Sequence, residues 1–121
     1  LQIRFPNVEP IRPGYEGPPI RIRYSAPFYA AEQLATGRLV AQFRPSVVGE
    51  ILFEADTEDG SITREGADTI VITIPGATTA NFASLSTVFF DFVRISDDGR
   101  RRVVPGQWSW PVKMSVTRNV E

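Results

Sequence analysis

Between Ile20 and Thr117 apolar residues recur at every second position in short runs, and most of these runs are closed by proline or by an acidic residue followed by glycine. A period of two is the mark of a strand with one dry face and one wet face, while proline and glycine set turns that no helix continues through. Ile20-Arg21-Ile22-Arg23-Tyr24 is the first such strand, Arg38 to Arg44 the second, and Glu50 to Asp56 the third, with Ile51, Phe53 and Ala55 on one face. A short strand over Ser61 to Thr63 precedes Thr69 to Ile74, and Thr87 to Ile95 is the most apolar run of all. Arg101 to Val104 returns from the Asp97-Asp98-Gly99 turn. The last run places Trp108, Trp110, Val112, Met114 and Val116 on one face, with Pro111 predicting an edge or a bend. Single helical turns fit Ala30 to Ala35 and Thr78 to Phe82. Seven or eight short strands with turns between them predict one antiparallel sandwich or barrel.

The segment before Ile20 is different. Five of the ten prolines, at 6, 10, 13, 18 and 19, fall between Phe5 and Pro19. Proline lacks the ladder donor and fixes φ, so residues 1–19 read as an extended Pro-rich arm or lead-in strand, and residues 20–121 as the sandwich domain. The lead-in either packs on its own domain or reaches a neighbouring subunit. In the second case Pro10, Arg12 and Tyr15 are contact residues, and removing residues 1 to 18 leaves a folded domain that assembles poorly.

Composition narrows the chemistry. The chain has neither cysteine nor histidine, which excludes disulfides, thiolate nucleophiles, cysteine-containing zinc sites and a Ser-His-Asp triad. The residues point to no cofactor and no metal, and the expectation is that the chain is not an enzyme. A formal charge of −1 argues against nucleic acid and anionic membranes as partners. No run approaches the roughly 18 to 20 apolar residues of a membrane span, and no charged-then-apolar leader begins the chain.

A few residues stand out. Asp91 interrupts Phe89-Phe90-Asp91-Phe92-Val93, and a carboxylate among apolar neighbours needs a partner. Arg44 and Arg118 are the candidates for a structural ion pair, whose loss in Asp91→Asn is expected to destabilise the fold. Glu54 to Gly60 has the acidity of a calcium loop without its ordered ligands, and reads as a solvated turn. Arg100-Arg101-Arg102 is either a solvated hairpin end or a contact for an acidic partner. Trp108 and Trp110 either plug the end of the sandwich or form a platform for a sugar or a partner.

Over residues 12 to 118 a string of elements accumulates in order. It begins with Gly14 and Ile20 to Tyr24, continues through Gln42-Phe43-Arg44, Ile51 to Gly60, Ile70 to Ile74 and Thr79-Ala80-Asn81-Phe82, and ends with Phe90-Asp91-Phe92, Asp98-Gly99 and Val116-Thr117-Arg118. In this the chain resembles the small virion structural proteins of tailed bacteriophages. The resemblance implies a single immunoglobulin-like antiparallel β-sandwich, located in the virion at a tail, baseplate, neck or capsid-decoration position. It implies a non-catalytic role, docking in multiple copies onto other phage virion proteins, as a homo-oligomer or symmetric array. The expected contacts are Pro10, Arg12, Tyr15, Arg100, Arg101, Arg102, Trp108 and Trp110. The alternative is a carbohydrate-binding module that stacks a cell-surface glycan on Trp108, Trp110 and Tyr24 or Tyr29.

Overall fold

The computed structural model describes residues 2–4 and 9–114. The fold is all-β with mostly antiparallel sheets, consistent with a sandwich. The described residues form ten strands: β1 (Gln2–Arg4), β2 (Ile20–Arg23), β3 (Arg38–Phe43), β4 (Phe53–Asp56), β5 (Ile62–Glu65), β6 (Thr69–Ile72), β7 (Thr87–Phe90), β8 (Phe92–Ile95), β9 (Arg101–Val103) and β10 (Gln107–Pro111). Their order is β2-β6-β5 in one sheet, with β1-β10-β7 and β4-β3-β8-β9 making the others. The last two are joined where Arg44, just beyond β3, pairs with Phe89 of β7. Alternation sets what each strand buries. Ile20, Ile22, Ile62, Ile70 and Ile72 from the first sheet meet Leu39, Ala41, Phe43, Val88, Phe90 and Phe92 from the other side in one core.

The run Thr87 to Ile95 is divided at Asp91. Along β3 its register is unbroken, with Arg38 facing Ile95, Ala41 facing Phe92 and Arg44 facing Phe89. The break arises on the opposite side. Val104 N–H donates to Phe92 O, and the next pair is Trp108 with Phe90. Pro105, Gly106 and Gln107 therefore stand opposite Asp91 alone. Pro105 has no ladder donor and Gly106 takes φ +115, so this bulge releases β10 to pair with β7 at a new register.

Three sequence expectations are corrected here. The first helical turn, α1, spans Ala26–Ala31 rather than Ala30 to Ala35: Ser25 Oγ accepts from Phe28 N–H at 3.4 Å, and Pro27 sits in the first turn where its missing donor costs nothing. Pro111 does not mark an edge, because β10 lies between β1 and β7 and ends at Pro111. Met114 is exposed, since the ladder stops before it. The second helical turn falls close to its expected place, as α2 (Gly76–Thr79) and a tight turn over Ala80–Phe82 that buries Phe82.

The described part of the lead-in lies against its own domain. Strand β1 runs parallel to β10, pairing Gln2 with Gln107 and Arg4 with Ser109. Ile11 then continues along the same edge, donating to Pro111 O at 2.9 Å and accepting from Lys113 N–H at 3.0 Å. Gly14 N–H donates to Thr79 Oγ1 at 3.0 Å, which ties the lead-in to α2. Four proline positions of this segment, at 10, 13, 18 and 19, are described, and Ile11 and Pro13 are buried. No helix among the described residues is long and apolar enough to cross a membrane.

Candidate functional site

Strands β4, β3, β8 and β9 turn alternate residues outward, and register sorts them into rows. Val40, Val93 and Val103 lie side by side across three strands. The row on one side holds Arg38, Ile95 and Arg101, again adjacent by register. The row on the other side holds Glu54 beside Gln42, with Asp91 at the break beyond. The result is an apolar band with Arg38 and Arg101 along one margin, where Asp56 and Glu58 already pair with Arg38, and with Glu54 and Asp91 along the other. A shallow cavity of about 360 Å³ lies over it, reaching from Arg38 and Arg101 to Glu54 and Asp91.

The charges differ in how they are held. Arg38 Nε donates to both carboxylate oxygens of Asp56, at 3.0 and 3.1 Å. This hydrogen bond holds Asp56 below the ordinary carboxylate range. Glu54 accepts from Gln42 Nε2 at 2.8 Å, and Arg101 is exposed with no ion pair among the described residues. At the acidic margin, the loop from Pro45 to Leu52 packs Leu52 against the core but leaves three apolar side chains in solvent. Val47 is 64% exposed, Val48 93% and Ile51 46%. Ile51 thus leaves the buried face expected for it, because the ladder of β4 begins only at Phe53.

Asp91 lies on the outward face with Phe89, Val93 and Ile95, while Phe90 and Phe92 point into the core. The expected Arg44–Asp91 ion pair is not formed: the Arg44 guanidinium donates instead to Gly49 O and Gln42 Oε1, acting on Asp91 only through longer-range attraction. Arg118 lies outside the described residues. Burial pushes the Asp91 carboxyl above its ordinary range, and Arg44 only partly opposes this. A carboxyl raised in the folded state favours folding while protonated, so its contribution falls as pH rises through the unfolded and then the folded pKa. The prediction reverses the sequence expectation. Asp91→Asn should hold or raise the melting temperature at neutral pH and flatten its decline between acid and neutral pH. A lower neutral melting temperature would show that the charge is favourable where it stands.

The tryptophans are corrected as contact residues. Trp108 is 5% and Trp110 6% exposed, in line with the buried stripe of the alternation. Trp108 sits edge-on to Tyr24 at 6.0 Å, and Trp110 Nε1 donates to Glu9 O at 3.2 Å. Neither indole face is open for stacking, so the glycan alternative loses its platform. The three arginines at the hairpin do not form one patch either, because alternation sends them apart. Arg100 pairs with Asp98 at 3.3 Å, Arg102 reaches Glu32 at 3.1 Å, and Arg101 alone joins the outward face.

Pro10, Arg12 and Tyr15 line a second cavity of about 240 Å³ between the lead-in, Trp110 and Ile74. Arg12 pairs with Glu9 at 3.3 Å, and Tyr15 O lies 3.1 Å from the Thr79 hydroxyl, so these residues serve the lead-in's own docking. Two arginines that sequence reading passed over, Arg64 and Arg94, hold the loop after α1. Arg64 Nε donates to Leu34 O and Arg94 Nε to Gln33 O, each at 2.7 Å, where Gln33 and Gly37 take positive φ. A side chain at Gly37 would meet Arg94 at 3.0 Å. In the acidic turn, Asp56 is committed to Arg38 and Asp59 Oδ1 accepts from Ser61 N–H at 2.9 Å. Among the described residues no group of acidic side chains is placed to hold a metal ion. No family model matches the chain, and neither a curated protein nor a solved structure matches it.

Proposed function

We propose that this chain is a non-catalytic structural protein of a tailed-phage virion that docks in multiple copies onto other virion proteins. The observation that carries the reading is the loop between β3 and β4. Three of the five exposed large hydrophobic side chains among the described residues, Val47, Val48 and Ile51, fall in it. Apolar side chains gathered at a loop tip and left in water are the usual sign of a protein contact. The motif string from Gly14 to Arg118 supplies the virion context. An immunoglobulin-like arrangement is part of the same proposal. It is supported by the strand order, with β2-β6-β5 on one side and β1-β10-β7 continuing through β8 and β3 to β4 on the other.

The test is quantitative mass spectrometry of intact particles from the protein's source, comparing the native chain with the triple variant Val47→Ser, Val48→Ser, Ile51→Ser. These side chains touch little of the core, so the melting temperature should stay within a few degrees. Loss of three apolar anchors, each of order 1 kcal/mol, should lower incorporation by about tenfold or more. Full incorporation of the variant, or absence of the native chain from particles, would remove the proposal.

A further inference from the structure

The outward face of β4-β3-β8-β9 has no covering element of its own among the described residues, although its middle row is wholly valine across β3, β8 and β9 and Val103 is 59% exposed. We propose that this face pairs with the same face of a second copy of the chain, about a two-fold axis lying along the Val40–Val93–Val103 row. Two aligned sheets pack face to face about 10 Å apart through such apolar rows. The margins choose the axis. A two-fold axis parallel to the strands would lay the arginine margin over the partner copy's arginine margin and the carboxylate margin over its carboxylate margin, and like charges brought together cost affinity. An axis across the strands inverts strand direction instead. It carries the arginine margin of each copy over the carboxylate margin of the other, twice, as an isologous interface requires.

The contributions are unequal. Arg38 already serves Asp56 and Glu58, so Arg101, exposed and without an ion pair among the described residues, is the cation with most to gain. Across the axis its nearest carboxylate is Asp91, which the hydrogen bonds of Arg44 have left without a close counter-ion. The outward face of the other sheet is differently made. Arg21 and Arg23 there are already matched to Glu65 and Asp68, at 3.3 and 3.1 Å, and they flank a single buried valine, Val71. This inference rests on the face alone and not on the virion reading, so a dimer formed by a protein that particles lack would separate the two.

Residues on the axis meet their own copies, which gives a sharp test. The chain has no cysteine, so Val103→Cys introduces a single thiol facing its two-fold mate across the sheet separation of about 10 Å, too far for a direct disulfide but within the span of a short bis-maleimide. A short bis-maleimide should link the purified variant into a covalent dimer. Thr63→Cys, exposed on the other sheet, should stay monomeric under the same conditions. In sedimentation the unmodified chain should run as a dimer, and Arg101→Glu, at an exposed position outside the core, should weaken that dimer by about tenfold or more because both symmetric contacts are lost at once. A monomer at high micromolar concentration would overturn the proposal. So would equal crosslinking of Val103→Cys and Thr63→Cys, or a dimer indifferent to Arg101→Glu.

Discussion

Phe43→Ala should lower the stability of the fold by about 3–5 kcal/mol, the range for a large buried ring replaced by a methyl group. Phe43 is fully buried, stacked on Phe90 at 4.5 Å between centroids, with Phe53 at 5.8 Å and Phe82 at 6.4 Å. These rings come from β7, β4 and the turn after α2, so no single neighbour can collapse into the space. Against a total of about 5–15 kcal/mol for an ordinary domain, such a loss leaves little margin. Urea unfolding followed by fluorescence measures it directly. A change below about 1 kcal/mol would mean that the ring cluster is looser than its geometry.

Removing residues 1 to 18 should be nearly as damaging, contrary to what the proline content alone suggests. The deletion strips β1 from β10, uncovers Trp110 and removes Ile11, whose burial alone is worth about 1.5–3 kcal/mol. The hydrogen bonds at Pro111 O, Lys113 N–H and Thr79 Oγ1 go with it, at about 0.5–1.5 kcal/mol each. The truncated chain is expected to lose its cooperative melt or to melt at least about 15 °C lower. A cooperative transition within a few degrees of the full chain would return the lead-in to the status of a detachable arm.

The strands themselves were legible because burial of one face writes itself into every second residue. Ile20-Arg21-Ile22-Arg23 and Arg38 to Phe43 could not be much else, and the same rule put Trp108 and Trp110 on the inner face, while which face Asp91 takes was left to the fold. The candidate face was less legible. Val40, Val93 and Val103 are separated by tens of residues and become a row only through the registers of β3, β8 and β9, which local pattern does not encode. The same holds for Arg44. Its charge suggested a bond to Asp91, and the carbonyl of Gly49 and the amide of Gln42 took it instead, since a guanidinium goes to whichever acceptors the fold brings nearest.

What residue order settled was local: strand against helix, inner face against outer, the turns at Gly60 and Gly99, and the absence of thiol and imidazole chemistry. What the assembled fold settled was pairing. Strand β1 runs parallel to a strand more than 100 residues away, and three residues stand against Asp91 because β10 must leave the register of β9. Alternation is a property of one strand and its nearest surroundings, so sequence carries it. Register between distant strands is a property of the whole core closing at once, and only there do two margins of opposite charge come to frame one apolar band.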